Sequence, residues 1–232
     1  WYQYPVLSNP ISKIGEYKFI FISHLHEDHF DPLFLKRYID KWPKSKIIIA
    51  DRKYNYLANI MNTNNIEHIT ISSLELGKTK IRIVPYENDN KAEIDNALIV
   101  ESQNSDYCIV NLNDIPQDFG FHRKLAKTLL PVRCLLTGYT GAGPYPQCFS
   151  NLSGLSKIKK GKVKKLQFSN QASKFAKRIN PKYFMPFAGT YYLGGKLAKL
   201  NKFRGVSTRL EAKKFLKSKN KNINFFIFKS NG

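Results

Sequence analysis

Apolar and polar positions alternate along the chain in short blocks, and most blocks read as strands joined by helices. Tyr17 to Ile22 is an apolar run short enough for a buried strand. Asp31-Pro32 then reads as a helix start, with Asp as N-cap and Pro at the first helical position. Leu33, Leu35, Tyr38 and Ile39 give that helix an apolar face. Lys46 to Ala50 is a second strand, followed by a helix from about Lys53 to Met61. Strands then follow closely at Glu67 to Ile71, Thr79 to Val84, Asn96 to Glu101 and Tyr107 to Leu112, with a polar hairpin turn expected at Gln103 to Asp106. A helix near Phe121 to Leu130 precedes a strand at Val132 to Leu136. The second half continues with a helix around Gln171 to Ile179 and a strand at Lys182 to Pro186. It closes with a helix near Thr208 to Lys217 and a strand at Ile223 to Phe228. Strands alternating with helices around one antiparallel stretch predict an α/β fold of two packed sheets flanked by helices. No repeat, linker or composition break divides the 232 residues, so a single domain over 1–232 is expected.

Composition narrows the setting. Hydrophobic residues make up 42% and charged residues 24%, the balance of a globular chain with a proper core. No apolar run is long enough for a membrane span, and no membrane partner is expected. The opening Trp1-Tyr2-Gln3-Tyr4-Pro5 has neither the basic nor the apolar region of a signal peptide. Cys108, Cys134 and Cys148 are odd in number and far apart, which predicts neither a disulfide framework nor a metal knuckle and suits a cytoplasmic chain. The formal net charge of +21 calls for an anionic partner or a solvated lysine-rich face. The densest lysine cluster, Lys157 to Lys165, has no aromatic residue, so it lacks the stacking side chains of a single-strand nucleic-acid binder.

The chemistry concentrates in Ser23-His24-Leu25-His26-Glu27-Asp28-His29. Three of the five histidines fall within six residues, directly after a strand. In extended backbone, side chains two apart point the same way, so His24 and His26 can grip one ion. Asp28 and His29 follow where the chain turns, and can join that ion or face a second. Imidazole with carboxylate suits zinc, iron or manganese. Asp28 is also a candidate to orient, or take a proton from, an attacking water.

The H-x-H-x-D-H run resembles the signature of the metallo-β-lactamase superfamily. The resemblance implies an αββα sandwich with one or two divalent ions, zinc or iron, at a sheet edge. It implies a bridging aspartate after a later strand, and Asp114 in Asn111-Leu112-Asn113-Asp114 fits as metal ligand and catalytic residue. A narrower match rests on Trp1 to Pro5, the histidine run, Ala92-Glu93-Ile94-Asp95, Asn111 to Asp114, the Tyr139 to Phe149 loop and Pro186-Phe187-Ala188-Gly189, in that order. These are similar to the metallo-β-lactamase-like domain of the CMP-N-acetylneuraminate hydroxylase family, whose bacterial relatives accompany surface-polysaccharide synthesis. The resemblance covers the chain to about Gly195. It implies an anionic sugar or nucleotide-sugar substrate and an electron-donating Rieske domain, upstream or in trans.

Three departures follow. No histidine stands at Rieske spacing from a cysteine, so no iron–sulfur cluster is expected within this chain. The family's opening strands would precede Trp1, so the chain is expected to be N-terminally incomplete. The family's later histidines are missing: Lys91 stands where one is expected, and none occurs near Phe187 to Gly189. Glu93 and Asp95 are either replacement ligands or turn residues, while His68 and His122 read as ordinary. Lys91 is instead a candidate for a substrate phosphate or carboxylate. The loop Thr137 to Gln147 offers Tyr139, Tyr145 and Gln147 as candidate sugar or nucleotide contacts, or is a rigid turn. Three functions remain open. One is a metal-dependent enzyme on an anionic sugar or nucleotide-sugar. Another is a metal-dependent hydrolase of phosphoesters or amides, nucleic acid included but less favoured. The third is a non-catalytic scaffold.

Overall fold

The computed structural model describes residues 6–87, 94–187 and 189–227. They group into two compact units that divide between Asn104 and Ser105.

The first unit begins with α1 (Pro10–Ile14), β1 (Phe19–Phe21), α2 (Pro32–Lys41), β2 (Lys46–Ala50), α3 (Tyr56–Thr63) and β3 (Ile69–Ile71). β1, β2 and β3 form a parallel sheet with β2 central, in register Phe19↔Lys46 and Ile48↔Ile69. β4 (Ser73–Leu76), β5 (Thr79–Pro85) and β6 (Asn96–Ser102) form an antiparallel meander. Alternation along β2 explains the layering. Ile47 and Ile49 bury with Leu35, Leu57 and Met61 of the helices, whereas Ile48 and Ala50 bury with Ile83 and against Ile81 and Leu98 of the meander. Helix, sheet and sheet therefore stack on one three-stranded ribbon. α2 starts where its sequence predicts: the Asp31 carboxylate accepts from the Phe34 N–H at 2.9 Å, with Pro32 in the first turn. α3 starts later than its sequence suggests, because Asn55 caps it by accepting from Ala58.

The second unit is a parallel sheet with helices between its strands. β7 (Cys108–Asn111), β8 (Val132–Thr137), β9 (Tyr183–Pro186) and β10 (Asn224–Phe225) pair in sequence order. α4 (Phe119–Ala126), α5 (Gly154–Ile179), a 3₁₀ segment (Gly195–Phe203) and α6 (Arg209–Lys219) connect them. Leu135, Phe184, Phe175, Ala172, Ala176 and Leu216 are buried to within 1%. α6 opens on a capping box, in which the Thr208 N–H donates to Glu211 and the Glu211 N–H donates to the Thr208 hydroxyl.

Three elements escape the sequence pattern: α1, β4 and the 3₁₀ segment. The largest difference is α5, which runs 26 residues and includes the whole Lys157 to Lys165 cluster. Its first half hides from a periodicity search because its inner face is built on Lys157 and Gly161 rather than on large apolar residues. Gly161 is required there: a Cβ would stand 2.9 Å from the Phe203 carbonyl oxygen, so only glycine lets that backbone pass.

Candidate metal centre

The histidine turn is clamped at both ends. On entry, the Ile22 N–H donates to the Ile48 carbonyl at 3.1 Å, prolonging the β1–β2 ladder past Phe21. On exit, Asp31 caps α2. Between them, the N–H groups of His29 and Phe30 both donate to the His26 carbonyl at 2.9 Å, closing a tight turn. Phe30 and Leu25 pack into the helix-side core, which leaves His24 and His26 on the opposite side of the extended segment.

His24 is the centre of this cluster and is 1% exposed. Its Nε2 lies 2.9 Å from His26 Nδ1. Its Nδ1 lies 2.9 Å from the Ser23 hydroxyl and 3.5 Å from the Asp95 carboxylate. The His29 ring stacks at a tilt on His24, 4.3 Å between centroids, and His29 Nε2 stands 3.8 Å from the Asp28 carboxylate. His26 and Asp28 are exposed, and His29 is half-buried.

Asp95 is fixed by its own backbone. Its carbonyl accepts from Tyr86 N–H at 2.9 Å and from Arg52 at 3.3 Å. Arg52 also donates to the Tyr86 carbonyl at 2.9 Å. Next to it, the Asn96 amide donates to the carbonyls of Ser23 and Ile94. Asp95 thus meets the outer nitrogen of His24, not the face that His24 shares with His26. Ser23 opens the run that the sequence marks, whereas Arg52 and Asn96 are supports that sequence reading did not single out. Arg52 and Asn96 lie 28 and 72 positions beyond His24, and no local pattern marks them.

The donor set fits a divalent ion. Two nitrogens bound to one tetrahedral ion at about 2.0–2.1 Å stand about 3.3 Å apart. The 2.9 Å pair of His24 and His26 needs to open by only a few tenths of an ångström. A carboxylate and a hydroxyl at the opposite nitrogen of a ligating histidine are the usual means of fixing its tautomer and aim.

In the second unit, Asp114 follows β7. Asn113 takes a left-handed backbone (φ 48°), and its N–H donates to the Asn111 side chain at 3.0 Å. Asparagine tolerates that conformation better than most residues, which allows the chain to turn directly after the strand. Asp114 is exposed on this turn. The Thr137 to Gln147 loop turns the Gln147 amide onto its own backbone. Gln147 is fully buried, and its amide donates to the Gly143 carbonyl and the Tyr191 hydroxyl, both at 2.7 Å. Tyr139 is 2% exposed, and burial pushes its hydroxyl up to about 12. Gly189 lies against the Tyr139 ring, where a Cβ would clash at 2.4 Å. Tyr145 is exposed, edge-on to Phe149, and its carbonyl accepts from Lys164.

His68 is half-buried in the first unit, its Nδ1 at 3.0 Å from the Ile66 carbonyl. His122 is buried on Phe175, ring centroids 3.6 Å apart. None of the three cysteines is in a disulfide, and the Cys108 thiol donates to the Leu130 carbonyl at 3.3 Å. Lys91, Ala92, Glu93 and Ala188 lie outside the described residues. Among the described residues, no helix is long and apolar enough to cross a membrane.

No family model matches the chain. The human protein named inactive cytidine monophosphate-N-acetylneuraminic acid hydroxylase is 22% identical over 199 residues, 82% of this chain and 38% of its own length. A Mycolicibacterium smegmatis protein, named provisionally as a Rieske 2Fe-2S iron–sulfur protein, is 23% identical over 218 residues, 88% of this chain and 40% of its own. The chain therefore spans about two fifths of these curated relatives. Among solved structures, an isothiocyanate hydrolase from gut bacteria of Delia radicum superposes with a TM-score of 0.57 at 12% identity, over 98% of this chain and 78% of that one. At that identity the likeness shows the fold. A histidine cluster of metal-ligand type on this fold supports a metal-dependent enzymatic function. The chain is a protein of the metallo-β-lactamase fold, an α/β sandwich with flanking helices.

Proposed function

We propose that the chain is a metal-dependent hydrolase acting on an anionic ester or amide. The observation that carries this reading is the His24–His26 nitrogen pair at 2.9 Å, with the outer nitrogen of His24 held by Ser23 and Asp95. A buried imidazole with two further rings against it has no packing role to justify its desolvation. In this reading His24, His26 and His29 hold one divalent ion, zinc or iron. Asp114 is proposed as a further carboxylate ligand, the donor type that accompanies histidine at such ions. Asp28 either completes that set or faces a second ion. When bound, the ion supplies Lewis acidity, polarising the scissile group and acidifying a water.

The chain's own residues do the rest. Asp28, exposed beside His29, takes a proton from the attacking water as its oxygen bonds to carbon or phosphorus, then returns it to the departing oxygen or nitrogen. Ser23 and Asp95 hold the His24 ring so that the site needs little rearrangement. Lys91 is proposed to receive a substrate phosphate or carboxylate. Tyr145 is the exposed aromatic contact of its loop, and Tyr139 and Gln147 maintain the loop's shape.

A second reading follows the curated relatives: a hydroxylase-type iron domain acting on a nucleotide-sugar, with electrons from a Rieske partner. Its support is the 22% identity across 82% of this chain. Metal content and activity separate the two. The hydrolase reading expects zinc in the purified protein and release of nitrophenol from bis(p-nitrophenyl) phosphate or of nitroaniline from a p-nitroanilide. It also expects His26→Ala to lose the ion while keeping the fold. Iron without hydrolysis moves the assignment to the hydroxylase-type reading. Unchanged ion content in His26→Ala, or no uptake of zinc, iron or manganese after reconstitution, overturns the site.

A further inference from the structure

We propose that the outer face of α5 docks the protein on an anionic lipid surface. Leu155 is 83% exposed, Val163 61% and Leu166 53%, with Ile158 also exposed. At 3.6 residues per turn, these four share an arc of about 140° with Lys159 and Lys162, along about 16 Å of helix. Lys160 borders that arc on one side. Lys165 borders it on the other, paired with Glu211 of α6 at 3.1 Å. Lys159, Lys160 and Lys162 are exposed. Single exposed aliphatic residues are ordinary, whereas four in a row on one helix mark a contact surface.

Charge points to the partner. Residues 105–229 carry 25 Lys and Arg against 4 Asp and Glu, and α5 itself carries nine basic residues and no acidic one. Like charges at i,i+3 and i,i+4, as in Lys159–Lys162 and Lys160–Lys164, weaken a helix in water. An anionic surface removes that penalty. The mixture of side chains then selects the kind of surface. Nucleic acid would neutralise the lysines but leave Leu155, Ile158, Val163 and Leu166 in water, and no arginine or aromatic residue stands in the arc to read or stack bases. A bilayer's headgroup zone takes both halves of the face. Aliphatic side chains enter the acyl boundary while lysine stems lie along them and extend their ammonium groups to the phosphates. The inner face of α5 stays in the protein through Lys157, Gly161, Ala172 and Phe175, so the helix lies in the membrane plane and spans nothing. The expectation of no membrane partner rested on spans alone, and an in-plane face is a separate property decided by exposure.

The test is co-sedimentation of the whole chain with vesicles of phosphatidylglycerol and phosphatidylcholine in equal parts, against phosphatidylcholine alone. Binding to the anionic vesicles only is expected. Each lysine near such a surface contributes roughly fivefold, so Lys159→Ala/Lys160→Ala/Lys162→Ala should weaken partitioning on the order of a hundredfold. Leu155→Ser/Val163→Ser/Leu166→Ser should weaken it on the order of tenfold. Both triple variants change exposed positions and should keep wild-type circular dichroism and wild-type hydrolysis of a soluble substrate. Absence of binding to the anionic vesicles overturns the proposal. So does a serine variant that binds as tightly as wild type. Binding of duplex DNA that the serine variant retains and the alanine variant loses, without vesicle binding, assigns the face to nucleic acid instead.

Discussion

The turn at residues 24–29 and the loop at residues 137–147 are both short, polar and placed after a strand, yet they use their side chains in opposite ways. In the loop, Gln147 and Tyr191 satisfy the Gly143 carbonyl, and Tyr139 fills space against Gly189. Those polar groups stabilise the backbone that carries them. In the histidine turn the backbone is already closed by the His26 carbonyl and the Asp31 cap, so the rings are not needed to hold it. Instead they lie against one another, and the outer nitrogen of His24 is met by Asp95, far along the chain. Polar side chains that satisfy their own loop read as architecture. Polar side chains gathered where the backbone needs none of them read as a site.

This contrast is open to attack by mutation. The largest effect belongs to His24→Ala. It should abolish high-affinity ion binding, beyond the roughly 10–100-fold that follows from disturbing an outer partner. Calorimetric titration of the stripped protein with zinc measures this, and a thermal melt of the ion-free protein should move little. If ion-free His24→Ala unfolds far below wild type, the turn is architecture too and the contrast fails.

Next comes His122, a buried polar ring that belongs to neither class. Burial, partly offset by the nearby Asp118 carboxylate and reinforced by Arg178, lowers its pKa from 6.5 to about 4. The folded protein therefore holds the neutral ring, while the unfolded chain takes up a proton below about 6.5. Stability from this group is complete above pH 6.5 and falls between 6.5 and 4, by on the order of 3 kcal/mol. Urea unfolding across that range should show the slope, and His122→Phe should flatten it. A slope unchanged in His122→Phe would assign acid sensitivity elsewhere.

The smallest effect is at Gln147. Gln147→Leu leaves the Gly143 carbonyl with Tyr191 alone and should lower stability by about 1–2 kcal/mol while ion affinity stays within twofold. A loss of ion affinity without loss of stability would move Gln147 from architecture to site.

A second asymmetry separates the units. Residues 1–104 carry 13 basic and 13 acidic residues, whereas residues 105–229 carry the whole surplus of +21. The acidic groups of the first unit are put to use locally: Glu101 pairs with Arg82 at 2.7 Å, and Asp31 caps α2. In the second unit, Asp118 caps α4 and Glu211 closes the capping box, leaving most of the lysines to solvent or to a partner. A net charge averaged over the chain conceals this division, and it is the division that singles out α5.

By itself, the sequence determined the α/β class, the strand before the histidine run, the Asp31-Pro32 start of α2 and the identity of the metal-type residues. Those features are local: a period of two or 3.6, a cap and its first turn, a spacing of two in extended chain. Tertiary structure decided the rest. It brought Asp95 to the outer nitrogen of His24 and kept it off the face shared with His26, because strand pairing and the Arg52 bonds fix that backbone 71 residues away. It buried Tyr139 and Gln147 in their own loop. It also joined a lysine run to a helix whose inner face is Lys157 and Gly161, turning Leu155, Val163 and Leu166 outward. Contacts between distant segments leave no period in the chain, so only packing could assign them.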